Sequence, residues 1–242
     1  MTELIQDFPT EKQDGFSEIS DNRVKLPFFV TESYKQIRTN LVFSLSQLPH
    51  HSFVFSSFEA GDGKSTTSLN IARAFALFGD RVLLIDADMR KPTLYRKLRI
   101  SNSKGLSSVL VGFCTADAAI QSVGKNFDVM TSGPLPPNPS ELLASSTMEL
   151  LIKGLEERYD YVIFDTPPLG IVSDALSFAQ KTAGVVFVAR YGKTTKNQLA
   201  QSLALIRSSG AGILGGILNG SKSAGKDYHY SKYDRYGYAE YR

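Results

Sequence analysis

Short apolar runs alternate with longer amphipathic stretches through most of this chain. The runs recur near 52–56, 82–86, 127–131, 160–164, 184–189 and 213–218, and each has the length of a strand. Between most of them lie stretches of helical periodicity. That alternation predicts an α/β fold: a mostly parallel central sheet with right-handed crossovers and helices flanking both faces. A first helix is expected near 31–46. Residues 1–30 are acidic, polar and poorly periodic, and read as an extended arm. Residues 31–220 form one periodic domain, and residues 221–242 carry no strand or helix pattern. No internal repeat is visible.

The first strand runs into Phe53-VFSSFEAGDGKSTTSLNIARAFALFG-Gly79. Gly61 and Gly63 lack Cβ atoms, so the backbone can curl and aim successive N–H groups at one anion. A helix starting near Lys64 adds the positive end of its dipole to the same place. Leu69, Ala72 and Ala76 give that helix a small apolar face, and Gly79 is a natural stop. Ala60, Gly61, Asp62, Gly63, Lys64, Ser65 and Thr66 are therefore the candidate phosphate-binding residues of an ATP site. Lys64 would reach the β- and γ-phosphates and is expected to be solvated without nucleotide. The Ser65 hydroxyl would ligate Mg²⁺. The GxxxxGK[ST] pattern of a P-loop NTPase departs at its first glycine, where Phe58 stands.

Two acidic sites follow, each at the end of an apolar strand: Asp86-ADMRKP-Pro92 after Val82–Ile85, and Asp165-TPP-Pro168 after Tyr161–Phe164. In an open parallel sheet, ligands bind beyond the carboxyl ends of the strands, so these carboxylates should converge on the glycine loop. Asp165 fits as the residue holding Mg²⁺, directly or through water. Of Asp86 and Asp88, one can position or deprotonate a nucleophile while the other supports the metal. Asp86 is the first candidate for proton acceptor; Asp88 is the second and also a candidate metal ligand. Asn219, at the end of the last strand, could read an adenine edge, and an Asn-Gly turn accounts for it equally well.

Six of the eleven tyrosines lie in the last fifteen residues: Tyr228, Tyr230, Tyr233, Tyr236, Tyr238 and Tyr241. Gly, Lys, Asp, Ser and Arg separate the rings, and no aliphatic residue larger than Ala accompanies them. Such a segment buries too little apolar area to offset its ordering entropy. It is expected to be a flexible tail that presents phosphate acceptors.

Composition narrows the classes. With 242 residues, 42% apolar and 21% charged, the chain can fill one α/β core. No run approaches the length of a membrane span, and the acidic start (Glu3, Asp7, Glu11, Asp14) is unlike a signal peptide. Cys114 is alone, so a disulfide framework is excluded and a reducing cytosol is expected. Only His50, His51 and His229 could join it, which argues against structural zinc. A net charge of +3 gives no argument for nucleic-acid binding.

GDGKSTT, LLIDADMRKP and VIFDTPP resemble the Walker A, Walker A′ and Walker B elements of the bacterial tyrosine kinases, and SGPLPPNPSELL (Ser132 to Leu143) resembles a further segment of that family. The resemblance covers residues 31–242. It implies an ATP- and Mg²⁺-dependent protein-tyrosine kinase that autophosphorylates its C-terminal tyrosine cluster and regulates capsule or exopolysaccharide synthesis and export. The lack of a membrane segment resembles the free-standing cytoplasmic type found in Gram-positive capsule systems. The resemblance further implies recruitment to the inner face of the membrane by an adaptor of the polysaccharide co-polymerase type, and reversal by a cognate tyrosine phosphatase. Glu32, Lys35 and Arg38 are similar to the family's E-x-x-R-x-x-R motif, which joins subunits in a ring, an octamer by resemblance. Lys35 departs from it, because lysine cannot make arginine's bidentate fork. A competing class is the nucleotide switch of septum-positioning and plasmid-partition ATPases. Those carry a second lysine five residues before the main one, where this chain has Glu59, and they lack a tyrosine-rich tail. A non-catalytic, ATP-shaped adaptor is disfavoured by intact Lys64, Ser65, Asp86, Asp88 and Asp165.

Overall fold

The fold was analysed in a computed structural model, which describes residues 26–172 and 176–221. The arm expected over residues 1–25 and the six tail tyrosines lie outside the described residues.

Pro27 precedes helix α1 (Phe28–Leu45), where its fixed φ suits a helix start, so the helix begins three residues ahead of the expected position. Strand β1 (Ser52–Ser57) follows and leads into α2 (Lys64–Leu77), which ends at Gly79 with φ 97. Strand β2 (Val82–Asp86) is followed by the short helices α3 (Leu94–Leu98), α4 (Leu106–Leu110) and α5 (Ala116–Ala119). Strands β3 (Ile120–Gly124) and β4 (Phe127–Met130) come next, then α6 (Pro139–Ala144) and α7 (Ser146–Glu156). Strand β5 (Tyr161–Asp165), α8 (Leu176–Ala179), β6 (Val185–Arg190), α9 (Lys196–Ser208) and β7 (Ile213–Asn219) complete the described fold.

The seven strands form one sheet in the order β3-β4-β2-β5-β1-β6-β7. Every neighbouring pair is parallel except β3–β4, which is antiparallel. Strand β3 is the element that the apolar pattern did not predict. It joins β4 through Lys125 and Asn126, with Asn126 at φ 60, so a tight hairpin closes that edge.

Alternation along the strands builds two cores. On one face Phe53, Phe55, Leu84, Ile163 and Val186 pack under α1 and α2, through Leu41, Leu45, Leu69, Ala72, Phe75 and Ala76. On the other, Val54, Leu83, Ile85, Phe164 and Phe187 pack under Leu106, Leu143, Ile152, Phe178 and Ile206. Successive residues of one strand serve opposite cores, which is why these strands read as unbroken apolar runs. The central strands β2, β5 and β1 end side by side, and register pairs Asp86 with Asp165 and Phe55 with Asp165. The glycine loop and both acidic sites therefore open on one edge of the sheet.

Candidate active site

The loop between β1 and α2 curls through two left-handed glycines, Gly61 at φ 85 and Gly63 at φ 94. A side chain at Gly63 would also collide with its neighbour, since a Cβ there would fall 1.8 Å from Asn219 Nδ2. Asp62 is buried and accepts the Glu59 N–H at 2.9 Å, closing the turn from inside. Asn219 Nδ2 donates to the Asp62 carbonyl at 2.9 Å. The Asn219 amide thus braces the loop at Asp62, a contact additional to the turn and adenine-edge roles read from its position. Arg190 donates to the Gly61 carbonyl at 3.4 Å, and Lys193 Nζ to the Ala60 carbonyl at 3.0 Å. Lys193 also pairs with Glu59 at 3.1 Å and Asp62 at 3.3 Å. The carbonyls of Ala60, Gly61 and Asp62 are thus all engaged by side chains from β6, β7 and the segment after β6. No sequence motif marked Lys193, because it reaches the loop only through the fold.

Lys64 is buried, contrary to the expectation of a solvated lysine. Its Nζ donates to Asp165 Oδ1 at 2.8 Å and to Ser65 Oγ at 3.1 Å. Asp165 is fully buried, and its Oδ2 has no hydrogen-bond partner. An unpartnered buried carboxylate oxygen is costly unless it serves a ligand. The oxygen donors Ser65 and Asp165, held by one ammonium, suit a small hard cation such as Mg²⁺. Among the described residues no group of three or more His, Cys, Asp or Glu is gathered into a metal cage.

The two carboxylates of the β2 end occupy different positions. Asp86 is fully buried; its Oδ2 accepts N–H groups of Thr93 and Leu94 at 3.0 Å each, and its Oδ1 accepts that of Asp88 at 3.2 Å. Burial, reinforced by the neighbouring Asp165 charge, pushes its carboxyl up to about 7, against the pull of those amides and of Lys64. Asp88 accepts the Lys91 N–H at 3.0 Å and lines the cleft in front of the loop. Burial raises its carboxyl as well, with Lys64 opposing. The chain leaves β2 at Asp86, which stays buried, and places Asp88 at the opening.

The cleft has a volume of about 340 Å³. One side is the glycine loop with Lys64, Ser65 and Thr66. A basic rim of Arg90, Lys91 and Lys97 also lines the cleft, and Lys97 Nζ donates to Thr66 Oγ1 at 3.0 Å. The third side is apolar: Pro167, Pro168, Ile171 and Val172. The sequence reading had no place for the rim or the apolar side.

The α1 stripe divides. Lys35 pairs with Glu32 on the same helix at 2.7 Å. Arg38 turns inward, pairs with Asp80 at 2.7 Å and lies 4.2 Å from the centre of the Phe78 ring. It is not presented outward beside Glu32 and Lys35. The expected phosphate acceptors lie outside the described residues.

A family model described as an AAA domain matches residues 52–210. The chain is 42% identical to tyrosine-protein kinase YwqD of Bacillus subtilis, over 86% of this chain and 85% of that one. It is 33% identical to tyrosine-protein kinase CpsD of Streptococcus agalactiae, over 90% and 97%. The solved kinase domain of Escherichia coli tyrosine kinase ETK superposes with a TM-score of 0.80 at 33% identity, over 95% of this chain and 88% of that one. A plasmid partition protein from Borrelia burgdorferi, at 18% identity and TM-score 0.57 over 77% of this chain and 86% of that one, shares the fold alone. With its glycine loop, paired acidic strand ends and these relatives, the chain belongs to the bacterial tyrosine-protein kinases.

Proposed function

We propose that this kinase transfers the γ-phosphate of ATP to its own tail tyrosines, Tyr228, Tyr230, Tyr233, Tyr236, Tyr238 and Tyr241. The observation that carries the reading is the Lys64–Asp165–Ser65 contact beside Asp88, in a chain that gathers six tyrosines at one end. Phosphoryl transfer needs positioning and charge neutralisation more than covalent chemistry. The amides of residues 60–65 receive the phosphates, and Lys64 exchanges Asp165 for the β- and γ-oxygens. Ser65 and Asp165 would then be the residues to hold Mg²⁺, which would supply neutralisation of phosphate charge. A phenol with a pKa of about 10 needs a carboxylate to take its proton during transfer. Asp88 meets it first, being the carboxylate at the opening, while Asp86 fixes the turn that presents Asp88.

The same reading extends to regulation. Self-association across α1 would draw on Glu32 and Lys35, since Arg38 is engaged with Asp80. Among the described residues no helix is long and apolar enough to cross a membrane. Recruitment to the inner membrane face by a separate adaptor, control of capsule or exopolysaccharide export, and removal of the phosphates by a tyrosine phosphatase complete the proposal. Incubation of the purified chain with Mg·ATP, followed by mass spectrometry of residues 222–242, tests its core. Phosphotyrosine in that segment is the expected result. ATP turnover with an unmodified tail would overturn it in favour of a nucleotide switch.

A further inference from the structure

The apolar side of the cleft has no part in holding phosphate or metal. Pro167 and Pro168 follow Asp165 after the single residue Thr166, and Ile171 and Val172 extend the same surface along the opening. Ile171 is 62% exposed. A single exposed aliphatic residue is ordinary on a protein surface; this one stands on the wall of the catalytic cleft.

The wall is firmly seated. The Leu169 N–H donates to the Ser57 carbonyl at 2.7 Å, and the Gly170 N–H to the Phe58 carbonyl at 3.0 Å. The Ile171 and Val172 N–H groups both return to the Pro168 carbonyl, at 3.1 and 3.2 Å. A Cβ at Gly170 would lie 2.6 Å from the Phe58 carbonyl oxygen and 3.0 Å from its ring. Phe58, the one departure from the glycine-loop pattern, is therefore the residue against which this segment packs. The phosphate loop and the apolar wall are fastened together at Phe58 and Gly170.

The position of the wall selects its occupant. Lys64 contacts Asp165 at the end of β5, so the reacting end of the nucleotide belongs on the β5 flank of the loop. Arg190, Lys193 and Asn219 hold the other flank, toward β6 and β7. The wall begins two residues after Asp165 and adjoins the reacting end.

We propose that Pro167, Pro168, Ile171 and Val172 form the platform on which the acceptor's aromatic ring lies, and that this platform restricts transfer to tyrosine. The inference rests on the tail-phosphorylation reading above. Serine and threonine hydroxyls sit one bond from Cβ and bring no ring to the platform. A tyrosine ring laid there covers Ile171 and carries its hydroxyl toward Asp88. Loss of one aliphatic contact in such a pocket costs about tenfold in selectivity.

The test uses the full chain with its six tail tyrosines replaced by serine, so that label enters only an added peptide of residues 224–242. Ile171→Ala should raise the peptide KM about tenfold, while the ATP KM and kcat stay within about twofold. A peptide with phenylalanine at all six positions, which binds a ring without reacting, should inhibit the Ile171-containing enzyme competitively and the Ile171→Ala enzyme about tenfold more weakly. An unchanged peptide KM and inhibition constant would overturn the platform and leave the kinase reading intact. A rise in ATP KM instead would assign the wall to the nucleotide base. Failure of the Ile171-containing enzyme to label the peptide at all would overturn the underlying reading. Because Ile171 is exposed, an unaltered melting temperature in Ile171→Ala accompanies the expected result.

Discussion

Lys64→Met removes a cation from a pair whose carboxylate has no access to water. Asp165 would be left fully buried, with neither oxygen partnered by Lys64 and with Asp86 beside it. Breaking a buried ion pair from one side costs about 3–5 kcal/mol. Loss of about 3–5 kcal/mol should lower the melting temperature by roughly 6–20 °C at pH 7.5, since each kcal/mol moves a chain of this size by about 2–4 °C. At pH 5.5 the loss should be smaller, because of Asp86. Its folded carboxyl keeps a proton up to about pH 7 while the unfolded one loses it near 3.8, so its contribution to stability falls as pH rises through that window. Removing Lys64 takes away one of the influences that hold it down. Thermal melts of the unsubstituted chain, Lys64→Met, and Lys64→Met with Asp165→Asn, at both pH values, provide the assay. The double variant should recover most of the loss, because it leaves no unpaired charge at position 165. A Lys64→Met protein that melts with the unsubstituted chain at pH 7.5, or equally far below it at both pH values, would refute the reasoning.

Three further outcomes follow from the site. Gly63→Ala combines a left-handed φ, costing about 1 kcal/mol, with a collision against Asn219, so nucleotide affinity measured by titration should fall at least about tenfold; adding Asn219→Ala should restore only part of it. Asp88→Asn should lower kcat about 100-fold or more at nearly unchanged melting temperature, whereas Asp86→Asn should act first on stability, because its amide NH₂ would face backbone donors; a larger kcat loss in a stable Asp86→Asn protein would return the proton to Asp86. Replacing all six tail tyrosines by phenylalanine should abolish phosphotyrosine while nucleotide binding persists, and labelling at Tyr34, Tyr95, Tyr159, Tyr161 or Tyr191 instead would sink the tail assignment.

The apolar runs were legible because β1, β2, β5 and β6 are covered on both faces, so no alternation interrupts them. Strand β3 escaped notice because Ile120–Gly124 is half-buried at an edge and mixes Gln, Ser and Gly with its two aliphatic residues. The Gly124-Lys125-Asn126 turn before β4 was its available signal. Gly61, Gly63, Lys64, Asp86, Asp88 and Asp165 were readable because loop and strand-end chemistry is local in sequence. What the residues do to one another was not. The burial of Lys64 against Asp165 spans about a hundred positions, as do the reach of Lys193 to Glu59 and the contact of Phe58 with Gly170. Arg38 is similar: its pairing with Asp80 and its place over Phe78, just beyond the next helix, could not be read from helical spacing alone.

The contact of Asn219 with the glycine loop sets the geometry of the tether. Asn219 touches the backbone at Gly63, and Gly63 itself lines the cleft, so the tail is rooted at the edge of the site. Tyr228 comes nine residues after that root and Tyr241 twenty-two. At about 3.4 Å per residue their contour lengths reach roughly 30 and 75 Å. Every tail tyrosine thus has its own cleft within contour, at an effective concentration in the millimolar range that a solution neighbour does not match. A separate subunit can compete only when assembly raises its local concentration to a similar value. Labelling within one molecule follows a rate constant indifferent to dilution, and labelling between molecules slows as the assembly comes apart. The reaction order in protein therefore reports whether the tail serves its own site or another's.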